Sequence, residues 1–135
     1  MKARLILCDF AEEHNGKLYL MGGGWGRIQA GPPIQVALAL ILNLNREELD
    51  QPHKLAVSLV KESGDPALDA ASQPIRIEGT FESGPKPSKD SGTVFNAPVA
   101  IKVPPLALGL GRYRWELRVD DDLLDVAEFD AMETV

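Results

Sequence analysis

Ile34-Gln35-Val36-Ala37-Leu38-Ala39-Leu40-Ile41-Leu42-Asn43-Leu44 is the stretch on which the fold turns. Its even positions hold Ile, Val and Leu alone, while its odd positions hold Gln, Ala, Ala, Ile and Asn. A strand turns successive side chains to opposite faces, so this period of two predicts one strand over 34–44 with a wholly apolar face. The other face is small and partly apolar, which suits a central strand or a covered second face. At about 3.3 Å per residue such a strand is about 36 Å long. A strand of that length could leave a part free to pair with another chain by edge addition.

The same alternation recurs on the C-terminal side. Leu55, Val57 and Leu59 alternate with Lys54, Ala56 and Ser58. Ile75, Ile77, Gly79 and Phe81 alternate with Arg76, Glu78, Thr80 and Glu82. Phe95, Ala97, Val99, Ile101 and Val103 form a further set, and Tyr113, Trp115, Leu117 and Val119 another. In the last strand Leu124 and Val126 share one phase and Phe129 and Ala131 the other, so a bulge is expected near Ala127-Glu128. On the N-terminal side, Asn15-Gly16 has the chemistry of a type I′ turn joining strands at about 4–11 and 17–21.

Polar and glycine-proline segments separate these runs. Gly31-Pro32-Pro33 precedes the 34–44 strand, Ser63-Gly64-Asp65-Pro66 follows the Leu55 strand, and 83–92 is the longest polar loop. Only the stretch 45–51 reads as helical, as a short turn capped by Asn45 with Glu47 and Glu48 at its start. About seven to nine short strands with almost no helix predict an all-β, immunoglobulin-like antiparallel β-sandwich. Neither a repeat nor a linker divides the chain, so a single domain over 1–135 is expected.

Composition narrows the function. The chain has 135 residues, with 14 Lys and Arg against 20 Asp and Glu, a net charge of −6. That balance argues against nucleic acid and anionic membrane as partners, since phosphate affinity needs clustered cations. One cysteine, Cys8, permits neither an intramolecular disulfide nor a four-thiolate metal site. The apolar run Leu5-Ile6-Leu7-Cys8 stops at Asp9, too short for a signal peptide, and no apolar run approaches the length that spans a bilayer. A cytoplasmic protein, or one packaged in a particle, is expected.

Several residues invite a chemical reading, each beside an ordinary structural one. Gly22-Gly23-Gly24-Trp25-Gly26 could cradle a small ligand or carbohydrate, with Tyr19, Gly23, Gly24 and Trp25 as binding residues. It fits neither a phosphate loop nor a dinucleotide fingerprint, and a sharp corner with Trp25 packed over the glycines is the simpler account. Asp120, Asp121, Asp122 and Asp125 could bind calcium if a second acidic loop, from Glu62 with Asp65 or from Asp50, joined them. A charged hairpin tip that keeps the sheet edge soluble needs no metal. His14 with Glu12 and Asp9 is a further, weaker metal candidate, and His53 is the only other histidine.

Tyr113, entering its strand after Leu108-Gly109-Leu110-Gly111, has the position of a corner tyrosine whose hydroxyl bonds back to the preceding loop. With Trp115 it could instead form a stacking platform. Cys8 reads as a small core residue rather than a nucleophile. The chain contains neither Gly-x-Ser-x-Gly nor His-Glu-x-x-His. An enzyme is therefore not expected, nor is a cofactor.

Leu7-Cys8-Asp9, the segment Gly16-Lys17-Leu18-Tyr19-Leu20-Met21-Gly22-Gly23-Gly24-Trp25, Pro52-His53-Lys54-Leu55, Ile75-Arg76-Ile77-Glu78-Gly79 and Gly111-Arg112-Tyr113-Arg114-Trp115 together resemble an uncharacterised family of small all-β proteins from actinobacteria and phages. The resemblance covers about 5–129, and its most specific part is the Leu-Tyr-x-x-Gly-Gly-Gly-Trp segment. It implies a single-domain bacterial or phage protein and assigns no activity, ligand or site residue. The expected function is a non-enzymatic binding or assembly module acting through a protein partner or self-association, for example as a phage-particle accessory protein. A small-ligand or carbohydrate binder using the 22–26 segment is the alternative.

Overall fold

A computed structural model of the chain describes residues 1–86 and 95–134. Of the polar loop expected over 83–92, positions 87–92 lie outside the described residues. Ten strands are present among them: β1 (Lys2–Cys8), β2 (Phe10–His14), β3 (Lys17–Met21), β4 (Arg27–Gln29), β5 (Ala37–Leu44), β6 (Pro52–Lys61), β7 (Arg76–Glu82), β8 (Phe95–Lys102), β9 (Gly111–Val119) and β10 (Asp122–Met132). The described residues contain one 3-10 turn, Arg46–Glu48, and no α-helix.

The strands form a three-stranded sheet in the order β1-β5-β8, a five-stranded sheet in the order β4-β10-β9-β6-β7, and the separate hairpin β2-β3. The five-stranded sheet curls as a half-barrel. The alternation read from the sequence fixes which residues meet between the two larger sheets. Leu38, Leu40, Leu42 and Leu44 of β5 join one buried cluster with Leu55, Val57 and Leu59 of β6 and with Tyr113, Trp115, Leu117 and Val119 of β9. Burying a Leu or Val side chain contributes about 1.5–3 kcal/mol, so this interface dominates the stability of the fold.

Several expectations need correction. First, the 34–44 run is not one strand. Ile34 pairs with Leu106 in an isolated bridge, and β5 starts at Ala37. Second, β5 has no free edge, because β1 covers Ala37 to Asn43 and β8 covers Ala37 to Leu44. Edge addition through this strand is closed. Third, β4 pairs parallel to β10, with Ile28 opposite Ala131, so the five-stranded sheet is not purely antiparallel. Fourth, the irregularity in β10 falls between Leu123 and Asp125 rather than near Ala127-Glu128. It turns Asp125 toward β1, where the carboxylate accepts the Leu5 N–H at 2.8 Å.

The strand expected over 4–11 breaks at Asp9. Past the break, β2 folds with β3 over the outer face of the three-stranded sheet. There Ala11 packs with Cys8, Ala37 and Ala39 in a second small cluster, with Leu18 and Ala100 beside it. The small odd residues of β5 are what let this hairpin approach so closely. Asn15 and Gly16 both take positive φ (52° and 74°), the requirement of a type I′ turn. No helix among the described residues is long and apolar enough to cross a membrane, which says nothing of a β-barrel.

Candidate functional site

The glycine segment serves as a crossover. After β3 the chain runs along the edge of β1 that β5 leaves open, with Gly24 N–H donating to the Leu7 carbonyl at 2.8 Å and Asp9 N–H donating to the Met21 carbonyl at 3.1 Å. Gly22 and Gly24 take φ of +63° and +85°. A Cβ on Gly22 would stand 2.1 Å from Asp9 Oδ2, and one on Gly23 would stand 2.6 Å from Leu20 Cδ1. These are the close approach and backbone freedom that glycine alone supplies without strain. Trp25 then turns inward, its indole edge-on to Phe129 with centroids 5.8 Å apart, and its Nε1 is buried without a partner. Tyr19 turns the opposite way, outward toward His14 (6.0 Å, edge-to-face). Tyr19 and Trp25 thus do not share a stacking surface.

The outward face of the β2-β3 hairpin carries the chain's most exposed aromatic and thioether side chains. Cross-strand pairing sets Phe10 opposite Met21, Glu12 opposite Tyr19 and His14 opposite Lys17. Phe10 is 44% exposed, Tyr19 54% and Met21 70%. Glu12 Oε2 lies 2.7 Å from His14 Nε2, so the polar groups of this face engage one another. The hairpin is held from behind by Ala11 and Leu18. It is a supported, amphipathic platform rather than a loose loop.

The acidic tip is consumed internally. Asp120 and Asp121 form the β9-β10 turn with φ of 51° and 70°. Asp120 accepts Lys54 N–H on Oδ1 (2.9 Å) and meets His53 Nδ1 on Oδ2 (2.6 Å). Asp125 accepts Leu5 N–H on one oxygen and Val126 N–H on the other. Asp121 and Asp122 are exposed at the tip. The structure does not gather these four carboxylates, and among the described residues no three His, Cys, Asp or Glu side chains cluster as metal ligands.

His53 is the site residue that sequence reading missed. It is buried on β6, with Nε2 2.7 Å from the Glu48 carbonyl oxygen and its ring stacked 5.2 Å from Phe81. Burial alone would depress its pKa. The bond to Asp120, the bond to the Glu48 carbonyl and the charges of Asp120 and Glu48 outweigh that and raise it. The bonds from His53 and from the Lys54 backbone hold Asp120 below the usual carboxylate value. Cys8 is fully buried with Sγ 3.5 Å from the Ala37 carbonyl oxygen. Burial first, and then the charge of Asp9, push its thiol pKa up, which disfavours the nucleophilic thiolate.

A cleft of about 460 Å³ opens where β7 begins, between Ile77 and Pro74 on one side and Pro105 and Leu106 on the other, with Pro33 and Leu68 completing the wall. A second cleft of about 480 Å³, bordered by Lys61, Glu62 and Arg112, adjoins it through Leu68 and Ala107. Arg112 is already paired with Asp130 at 2.9 Å. Neither cleft was visible in the sequence, because the walls come from three separate connections, β4-β5, β6-β7 and β8-β9.

No curated protein and no solved structure matches the chain. A family model does, over residues 3–132, and its description is "Family of unknown function (DUF6941)". That span is nearly the whole all-β unit, from β1 to the last residue of β10, so the chain belongs to this uncharacterised family.

Proposed function

We propose that the domain is a non-enzymatic binding or assembly module that acts through protein–protein contacts. One observation carries this reading: Phe10, Tyr19 and Met21 stand exposed together on a hairpin whose back is firmly packed. Aromatic residues and methionine are the types enriched at protein interfaces, and a folded protein seldom holds them exposed side by side without use. The corner bond of Tyr113 supports an immunoglobulin-like reading of the domain. A role as an accessory of a phage particle or other complex, in the cytoplasm or packaged, is consistent with a small module of this kind.

The test is site-specific photo-crosslinking in the native host from a benzophenone side chain at position 19. A discrete adduct is expected, lost with Met21→Asp and retained when the reporter stands at position 19 but the exposed Leu123 is changed to Asp. Light scattering then separates a foreign partner from a second copy of the chain. A strict monomer with no adduct at position 19, above that of a reporter placed at 123, overturns the proposal.

The cleft beside Pro105 favours a second reading, a small apolar ligand, in place of the glycine segment whose Trp25 is directed to the core. Its size falls in the range of ligand pockets, roughly 300–1,000 Å³. A fragment screen by NMR should shift Ile75, Ile77 and Leu106 first. Shifts confined to residues elsewhere remove this reading.

A further inference from the structure

His53 sits where three connections meet at one end of the domain. Its Nδ1 faces the Asp120 carboxylate in the β9-β10 turn at 2.6 Å, and its Nε2 faces the Glu48 carbonyl in the 3-10 turn at 2.7 Å. Its ring lies on Phe81 near the end of β7. Beside it, Asp50 N–H donates to the carbonyls of Ser83 and Gly84 beyond that strand. Both atoms facing the imidazole are acceptors with no proton to give. A neutral imidazole carries one N–H and can satisfy only one of them.

We propose that His53 is held as an imidazolium in the folded protein and acts as a pH-released latch, its deprotonation releasing the Glu48 carbonyl and loosening the 46–50 turn. Geometry dictates which link opens. The carboxylate is the stronger acceptor, so the remaining proton stays on Nδ1 and the bare Nε2 is left facing the Glu48 carbonyl. Two lone pairs at hydrogen-bond distance in a buried site repel, so the Glu48 carbonyl swings away, while the Leu49 side chain in the core and the Asp50 N–H bonds keep the far end of the turn attached. The charged groups facing His53 are few. Asp120 comes from the β9-β10 turn, and Glu48 from the 3-10 turn, its own carboxylate bound to the Met1 amine at 3.1 Å and to Asn45 N–H at 3.0 Å. Lys54 is next along β6 and gives its backbone N–H to Asp120, while β7 offers the ring only Phe81, with Glu82 beyond it exposed.

Long-range proton–nitrogen NMR of the nitrogen-15-labelled chain across pH tests this. At neutral pH both ring nitrogens of His53 should carry protons. As pH rises, Nε2 should lose its proton first, and the amides of 46–50 should shift and exchange faster with the same midpoint while Trp115 and Leu117 stay unchanged. Asp120→Asn removes the facing charge and should move that midpoint down by about one pH unit or more. His53→Asn, whose amide can stand in for Nδ1 but leaves no donor at the Nε2 position, should leave the 46–50 amides in the released state at every pH. Because that variant could fail to fold, the Asp120→Asn titration stands alone as a second arm. A singly protonated ring at neutral pH overturns the proposal, as does a His53 titration that the 46–50 amides do not follow.

Discussion

The hydroxyl of Tyr113 donates to the carbonyl oxygen of Gly109, four residues earlier, at 2.9 Å. This bond closes the loop that turns the chain into β9, with Gly111 at φ +149° making the bend. The ring below the hydroxyl stacks on Phe129 at 5.7 Å. One end of the side chain is therefore core and the other is a loop clamp. Tyr113→Phe keeps the stack and removes the clamp. It should cost about 1 kcal/mol, seen as a lower urea midpoint with an unchanged m-value.

The glycine crossover gives a graded series. Gly24 needs positive φ and has open space where a Cβ would sit, so Gly24→Ala incurs only backbone strain, about 1–2 kcal/mol. Gly22→Ala adds displacement of the Asp9 carboxylate and should cost more. Gly26 has neither positive φ nor a close neighbour, and Gly26→Ala should be nearly neutral. Thermal unfolding of the three variants checks the order.

Three carboxylates, Glu116, Asp120 and Asp130, are held below their usual pKa, and acid stability should rest chiefly on the first two because the Asp130–Arg112 pair is solvent-screened. Burial opposes ionisation of Glu116, but its bonds to Arg118 and Arg114, both 3.0 Å, outweigh that and lower its pKa. Asp120 is lowered by His53 and the Lys54 backbone. A depressed carboxylate stabilises the fold above its unfolded pKa, about 4, and that stability is lost as pH falls through the folded value. His53 has the opposite sign: its contribution is full below about 6.5 and is lost as pH rises through its raised folded value. Stability should therefore fall in both directions. Glu116→Gln should flatten the acid limb alone, and His53→Gln the alkaline limb, in urea titrations run from acid to alkaline pH.

Calcium at millimolar concentration should leave the melting temperature unchanged. Asp120 and Asp125 already commit their oxygens to His53, Lys54, Leu5 and Val126. A rise in melting temperature that Asp121→Asn or Asp122→Asn abolishes would show that the two exposed carboxylates suffice.

Trp25 and the wholly buried Trp115 should respond differently to substitution. Trp25→Phe retains an aromatic edge for Phe129 and should cost less than Trp115→Ala, for which about 3–5 kcal/mol is expected. Acrylamide should quench only weakly in the wild type, and the Trp25→Phe protein should show the least quenching of all.

What was legible in the sequence was what a few neighbouring residues decide. The inward faces of β5, β6 and β9, the Asn15-Gly16 turn and the Tyr113 corner all stem from local spacing, and the structure has them. Missing were features set by distant partners. Arg27–Gln29 is too short to display a period, so nothing announced β4. Asp9 reads as one polar residue within a run, yet the chain breaks there because the hairpin must fold over Ala37 and Ala39. His53 has acceptors five and sixty-seven positions away, and no short pattern links them. The one hint was Asp120 opening a two-residue turn, a place where its carboxylate is well set to reach a neighbouring strand.

The pairing of β4 with β10 also governs when the five-stranded sheet can be completed. Ile28 lies opposite Ala131, so this contact spans 103 positions (131 − 28). Closing so long a loop is entropically expensive and cannot nucleate folding. A chain emerging from a ribosome would hold β4 without a partner until β10, about a hundred residues later, had been made. Until then Phe129, against which Trp25 and Tyr113 pack, would also be missing. Synthesis and folding of this sheet are thus coupled at β10, and a product stopped short of it would expose the flank of β9 to aggregation.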